Sequence, residues 1–133
     1  MTSMNAQRAS GAAAEQSTKT ILIVDDDQEF REALVDIVRS EGFAVETATS
    51  GLQALDKLRW GLRPCVVLLD MQMAGMTGWD FRAEQGRDRT LTEIPVIAMT
   101  AGYWKQRDLG DYAARITKPI DVQELKATLA KYC

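Results

Sequence analysis

The chain has 133 residues, of which 46% are hydrophobic, and this is the size of one compact domain. Sixteen lysine and arginine residues against nineteen aspartate and glutamate residues give a net charge of -3, and no basic block or basic helix face favours direct binding to nucleic acid. There is no histidine, and the two cysteines lack metal-ligand spacing. A zinc site and a Ser/His or Cys/His nucleophile pair are therefore excluded.

The first 18 residues are rich in Ala, Ser, Thr, Gln and Gly and show no hydrophobic period. Such a segment cannot bury enough apolar surface to offset its ordering entropy, so we predict a disordered tail over 1–18 and one domain over 19–133. Because the tail has no apolar central run, it predicts neither a signal peptide nor a membrane anchor. The reducing cytoplasm is the expected compartment, with Cys65 and Cys133 as free thiols.

After the tail, short apolar runs alternate with amphipathic stretches, which is the pattern of parallel strands joined by crossover helices. Three runs, 21–24, 66–69 and 96–99, are apolar at every position, as is typical of strands covered by helices on both faces. A weaker, alternating run at 44–49 predicts an outer strand. Residues 114–117 predict a short fifth strand.

The segments between these predicted strands show patterns that are typical of helices. Apolar residues at helical spacing from Phe30 to Val38 predict the first helix, which Gly42 ends. A third helix is predicted over 78–85, before a polar loop.

Two further helices are predicted by their capping patterns. Ser50 with Gln53 opens the second helix, and Asp121 with Glu124 opens the last one. The apolar stripes of these two helices are expected to be buried; they consist of Leu52, Leu55 and Leu58 in the second helix and of Val122, Leu125 and Leu129 in the last. The elements together predict a (βα)5 domain of the α/β class.

Polar side chains that can bind ligands or react lie at the carboxyl ends of four of the predicted strands. In open α/β sheets, ligands bind beyond the carboxyl ends of the strands, because loops and helix N-termini converge there. The residues concerned are acids, hydroxyls and an amine: Asp25, Asp26, Asp27, Asp70, Thr100, Thr117 and Lys118.

The acids at this edge can be interpreted in two ways. Asp25, Asp26 and Asp27 could simply cap the first helix, whose dipole favours negative charge by about 0.3 to 1 kcal/mol. If the first and third strands are neighbours, however, Asp70 faces them, and two charges about 4 Å apart repel by roughly 4 kcal/mol at intermediate dielectric. Lys118 supplies one compensating charge. Several carboxylate oxygens with an open position are also what Mg2+ prefers, so we predict a Mg2+ site.

A carboxylate flanked by a metal, a lysine and a hydroxyl can attack a phosphoryl donor and form an aspartyl phosphate. Asp70 is the candidate nucleophile, because the end of a buried strand makes it accessible and rigid, whereas Asp25 and Asp26 are better placed as metal ligands. Taken singly, Thr100 is equally a β-branched strand residue, and Lys118 an exposed charge. Their combination with the acids favours phosphoryl chemistry.

Four segments resemble the response-regulator receiver domains of two-component signalling (CheY-like). They are ILIVDDD at 21–27, VVLLDM at 66–71, PVIAMTA at 95–101 and TKPI at 117–120, each at the end of a predicted strand and in the family's order. The match extends over residues 20–132. The resemblance implies a flavodoxin-like, doubly wound sheet of five parallel strands in the order 2-1-3-4-5.

The resemblance also implies a metal site. Asp26 would be the direct Mg2+ ligand, and Asp25 a second acid that acts largely through water. Asp70, which would accept the phosphoryl group, and the backbone carbonyl of Gln72 would complete the ligand set.

By the same resemblance, two residues would contact the phosphoryl group. Thr100 would move to hydrogen-bond to it, and Lys118 would pair with it ahead of a cis Pro119. Asp27 is assigned to helix capping.

Three features depart from the usual receiver pattern. Ala74 stands where the family usually has proline, and Arg115 replaces the aromatic residue whose rotation reports phosphorylation. The crossover at 101–113 is close to the minimum of about 10 to 12 residues, so we expect a reduced or irregular fourth helix there, as in a subgroup of stand-alone single-domain receivers. Three aromatic residues could replace the usual switch residue: Tyr103, Trp104 and Tyr112. An aromatic residue in this segment more often serves packing than switching.

Three functions are compatible with these patterns. The favoured one is a switch that takes phosphate onto Asp70 from a sensor histidine kinase or a phosphotransfer protein, catalysing only its own phosphorylation and dephosphorylation. Because no output domain is expected after Cys133, it would signal to a downstream protein by binding or by phosphorelay, with no role for nucleic acid or membrane. The alternatives are a pseudo-receiver that binds proteins without phosphorylation, and a hydrolytic phosphotransferase, for which the chain is short.

Overall fold

The structure of the protein, a computed structural model, describes residues 19–101 and 112–133. Five parallel strands form one sheet in the order β2-β1-β3-β4-β5. They are β1 (Thr20–Val24), β2 (Ala44–Ala48), β3 (Val66–Asp70), β4 (Val96–Ala101) and β5 (Ala114–Lys118). The predicted strands and their order are confirmed. The predicted tail and almost all of the crossover between β4 and β5 lie outside the described residues.

Four helices accompany the sheet in the described part of the chain. They are α1 (Gln28–Ser40), α2 (Gly51–Arg59), α3 (Gly78–Gly86) and the C-terminal helix α4 (Val122–Tyr132). Asp27, Ser50 and Asp121 cap α1, α2 and α4 with their side chains, as predicted. Gly42 follows α1 with φ of 96°, a conformation that glycine adopts without strain. Within the two described ranges, no helix is long and apolar enough to span a bilayer.

The core lies in two layers, one on each face of the sheet. Successive residues of a strand point to opposite faces, so Leu22 packs with α2 and α3, whereas Ile23 packs with α1 and α4. The three central strands, β1, β3 and β4, are buried almost throughout. Because all strands are parallel, the carboxyl ends of β1, β3, β4 and β5 meet along one edge of the sheet.

Two predicted core positions are wrong. Leu52 is 56% exposed and Val122 is 37% exposed. In α2, the buried face runs through Gly51, Ala54 and the two other predicted leucines, which turns Leu52 toward solvent. The small residues of a helix can face a sheet closely, and a pattern based on large apolar residues overlooks them.

The prediction of free thiols is also wrong, because the structure joins Cys65 and Cys133 in a disulfide with an S–S distance of 2.07 Å. Their Cα atoms are 5.6 Å apart, although 68 positions separate them in sequence. Cys65 directly precedes β3, and its backbone N–H donates to the carbonyl of Thr20 at 2.9 Å. The disulfide therefore ties the end of α4 to the amino edge of the sheet, opposite the edge that carries the acids.

Candidate functional site

Three acidic side chains converge at the carboxyl edge of the sheet. Asp25 and Asp26 follow β1, and Asp70 is the last residue of β3, which pairs with β1 in parallel. One carboxylate oxygen from each of the three lies within 4.8 Å of the others. The structure thus brings together the acids that the sequence placed at one edge.

The two acids after β1 differ in their surroundings. Asp25 is fully buried; its Oδ1 accepts the Asp27 backbone N–H at 2.9 Å, and the guanidinium of Arg31 donates to its backbone carbonyl at 2.8 Å. Asp26 is exposed, and its Oδ2 accepts the backbone N–H of Ala74 at 3.1 Å. This last bond joins the loop after β3 to the loop after β1.

Lys118, the last residue of β5, reaches across the cleft to two of these acids. Its Nζ lies 3.0 Å from Asp25 Oδ2 and 3.5 Å from Asp70 Oδ1. The same ammonium lies 4.1 Å from the centroid of the Phe30 ring. The peptide bond between Lys118 and Pro119 is cis, as predicted.

Asp70 sits in an environment that disfavours its charged form. Burial raises the pKa of this carboxyl above its ordinary value. The backbone N–H of Gln72, which donates to Asp70 Oδ1 at 3.1 Å, acts in the opposite direction. The negative charges of Asp25 and Asp26 raise the pKa further, and Lys118 lowers it, so that the net direction is upward.

A cleft of about 590 Å³ opens above these residues. Phe30, Gln72, Ala101 and Pro119 line it together with the acids and Lys118. Thr100, the residue before Ala101 on β4, is buried, and within the described residues its Oγ1 has no hydrogen-bond partner. The arrangement is an acidic, lysine-containing cleft, and a buried hydroxyl lies one residue before Ala101 of its lining.

The sequence profile of the response regulator receiver domain matches residues 21–130. The chain belongs to this family. Among curated relatives, the polar-differentiation response regulator DivK of Brucella ovis is 32% identical over 119 residues, covering 86% of this chain and 96% of the relative.

Solved receiver structures agree with the fold. A response regulator receiver domain protein from Methanospirillum hungatei is 36% identical, with a TM-score of 0.72 over 83% of this chain and 90% of that one. The receiver domain of a sensor histidine kinase from Pseudomonas aeruginosa, solved with a magnesium ion in its active-site cleft, has a TM-score of 0.79 over 87% and 98% of the two chains. At 22% identity, this second likeness concerns the fold alone.

The structure describes both residues that depart from the usual receiver pattern, and one of the aromatic residues that could replace the switch. Arg115 is exposed on β5, an edge strand, and Ala74 contributes the backbone bond to Asp26. The hydroxyl of Tyr112 donates to the carbonyl of Gly78 at 3.0 Å, and burial raises the pKa of this tyrosine to about 12. Tyr112 therefore packs against the start of α3. Tyr103 and Trp104, the other candidate switch residues, lie outside the described residues.

Sequence reasoning missed the contribution of α1 to this receiver site. Phe30 was assigned only to the buried stripe of the helix, yet its ring lines the cleft and contacts Lys118. Arg31 was not assigned any role, yet it supports the backbone of Asp25. A signal did exist, because both residues lie in the first turn of a helix that begins directly after the acids.

Proposed function

We propose that this receiver accepts a phosphoryl group on Asp70 in a Mg2+-dependent reaction and signals through the resulting change in protein–protein interaction or through phosphorelay. The observation that carries the proposal is the convergence of three carboxylates within 4.8 Å, with the Lys118 ammonium in contact with two of them. Membership of the receiver family supports the same function.

The donor set fits Mg2+. This cation takes oxygen ligands, keeps several waters and is held by one or two carboxylates together with phosphate oxygens. Exposed Asp26 would hold it directly, buried Asp25 largely through water, and Asp70 and the backbone carbonyl of Gln72 would complete the set. When bound, Mg2+ supplies positive charge that neutralises the oxygens of the transferring phosphoryl group.

The chain's own residues account for the rest of the chemistry. In the described part of the chain, both contacts to Asp70 are made through Oδ1, so we assign the attack on phosphorus to Oδ2. The new Oδ2–P bond forms as the bond from phosphorus to the donor breaks, and the donor atom leaves with the electron pair. Lys118 then pairs with the transferred group, and the Thr100 hydroxyl donates a hydrogen bond to it.

The proposed donors are a sensor histidine kinase or a phosphotransfer protein, and the proposed target is a downstream protein. Partners of these classes would meet the receiver in the cytoplasm, which is the compartment that we propose for it. The alternative function is a pseudo-receiver that binds its partner without phosphorylation. Ala74 and Arg115 favour that alternative, whereas the complete set of acids, threonine and lysine opposes it.

Incubation with Mg2+ and acetyl phosphate, a small acyl phosphate, separates the two functions. Intact-mass measurement is expected to find one added phosphoryl group on the wild type and none on Asp70→Asn. Asp36→Asn, which changes an exposed acid on α1, serves as the matched control and is expected to be labelled like the wild type. A folded wild type that stays unlabelled, while a known receiver is labelled in parallel, leaves the binding module as the better explanation.

A further inference from the structure

The Lys118 ammonium has a third neighbour besides the two carboxylates. Its Nζ lies 4.1 Å from the centroid of the Phe30 ring. The face of an aromatic ring carries negative electrostatic potential and attracts a cation within about 6 Å of its centroid. Asp25, Asp70 and Phe30 therefore all attract the same group from different elements of the fold.

The ring is the rigid partner in this contact. Phe30 lies in the first turn of α1, and its backbone N–H donates to the capping carboxylate of Asp27 at 3.2 Å. Its side chain packs against the core layer shared by α1 and α4. Lys118, in contrast, has a long side chain that is 28% exposed at the end of an edge strand, and holding it in one conformation costs side-chain entropy.

An aromatic ring suits this position better than another acid. Three carboxylates already face the cleft, and a fourth negative charge would repel the incoming phosphoryl group. An aromatic face attracts the ammonium without formal charge and without accepting its hydrogens in strong hydrogen bonds. The donors of Lys118 thus remain available to Asp70 and to the group transferred onto it.

The geometry points to Phe30 as a positioning residue that holds the Lys118 ammonium in the phosphorylation cleft through a cation–π contact. The inference rests on the proposed function, since the position of Lys118 matters for phosphoryl transfer only if Asp70 is the acceptor. Two measurements test it, and the first requires neither Mg2+ nor a phosphodonor.

The first measurement is an NMR spectrum of the metal-free protein with labelled lysine side chains. The ring current of Phe30 shifts the methylene protons next to the Lys118 ammonium upfield in the wild type, and Lys118→Arg identifies the signal. Phe30→Leu is expected to lose the upfield shift, and Phe30→Tyr is expected to keep it. An unchanged Lys118 signal in Phe30→Leu overturns the contact, whatever the protein does with phosphate.

The second measurement is the rate of labelling by acetyl phosphate with Mg2+ in a double-mutant cycle. Phe30→Leu is expected to slow labelling about fivefold, whereas Phe30→Tyr stays within about twofold of the wild type. In the Lys118→Met background, Phe30→Leu is expected to cause no further loss, because the two residues act through one contact. Phe30→Met is a second non-aromatic variant if Phe30→Leu does not fold.

Three outcomes of the cycle are informative in different ways. A normal rate in Phe30→Leu overturns the inference. So does an equal loss in the presence and absence of Lys118, which would mean that the ring only packs the helix. A wild type that is never labelled counts against the proposed function, and the NMR result then decides the contact by itself.

Discussion

The carboxylate of Asp70, the proposed phosphorylation site, disfavours folding when it is charged. Burial and two neighbouring acids raise its pKa, which means that its charged form is less stable in the folded protein than in the unfolded chain. The Gln72 N–H and Lys118 offset this only in part. The negative charge that the proposed nucleophilic attack requires thus lowers the stability of the metal-free protein.

Asp70→Asn is therefore expected to increase the free energy of unfolding of the metal-free protein at pH 7. The charged Asp70 carboxylate lowers the wild type's free energy of unfolding by its full amount at every pH above the raised pKa that this group has in the folded protein. It fades as the pH falls through that value toward the ordinary pKa of 3.8, because the carboxyl becomes neutral in both states. Urea unfolding with a chelator at pH 7 and near pH 4 measures this gain and its loss, with Asp36→Asn as the surface control. A less stable Asp70→Asn at pH 7 would contradict the electrostatic argument.

Thr100 is a second residue whose proposed role conflicts with stability, although its side chain is neutral. Its Oγ1 is buried and has no hydrogen-bond partner within the described residues, which costs about 1 to 3 kcal/mol for a polar atom of this kind. Valine has nearly the same shape and lacks the hydroxyl. Thr100→Val is expected to raise stability by about 1 kcal/mol while slowing phosphorylation.

Thr117 supplies the matched control for this change. It is the register partner of Thr100 on β5, but it is exposed, so Thr117→Val is expected to change stability by less than about 0.5 kcal/mol. Urea unfolding compares the two variants, and acetyl phosphate labelling compares their rates. Loss of stability in Thr100→Val would mean that the hydroxyl is satisfied in solution.

At the scale of elements, the sequence predicts strands better than helix faces. The runs at 21–24, 66–69 and 96–99 are apolar at every position, because helices cover both faces of the central strands. Such runs also locate the strand ends, and hence the edge where the acids meet. The buried face of α2 was misplaced at Leu52, since the close approach of Gly51 to Met76 appears only when the chain is folded.

The start of α3 packs closely against the residue that follows Asp70. A Cβ atom added at Gly78 would lie 2.9 Å from the Cα of Met71, the residue that follows Asp70. That distance is too short for a carbon–carbon contact, and a backbone atom cannot rotate away. Glycine is thus required here for close approach.

Gly78→Ala is expected to destabilise the protein by about 1 to 3 kcal/mol and to slow labelling of Asp70, because Met71 must shift. Gly86, at the other end of α3, offers the control, since nothing lies within 4 Å of an added Cβ there. Gly86→Ala should be neutral or stabilising by up to about 1 kcal/mol. Thermal unfolding and acetyl phosphate labelling of both variants test the difference, and equal behaviour would contradict the close-approach argument.

At the scale of the whole molecule, the carboxyl and amino ends of the parallel strands carry different features. The carboxyl edge carries the acids and Lys118, which sequence motifs located in advance. The amino edge carries the bond between Cys65 and Cys133, which no motif indicated. A strand start and a chain end that are 68 positions apart come together only through the packing of α4, and local sequence patterns carry no information about that.

The disulfide is expected to stabilise the oxidised protein without affecting its phosphorylation. A crosslink that closes a loop of this length reduces the conformational entropy of the unfolded chain, and the corresponding gain in stability is about 4 kcal/mol. Urea unfolding with and without dithiothreitol is therefore expected to show a large loss of stability for the wild type on reduction. Cys133→Ser is the control, because its stability should match that of the reduced wild type and should not respond to the reductant.

The reduced protein should nevertheless remain folded and be labelled at the oxidised rate. Leu125 and Leu129 still bury the face of α4, and Lys126 still pairs with Glu41 at 3.3 Å. The disulfide lies at the opposite edge from the cleft, so its loss moves none of the groups around Asp70. If dithiothreitol does not change the stability of the wild type, the two cysteines are free thiols and the disulfide is contradicted. If reduction lowers the labelling rate, the two edges are coupled through the sheet.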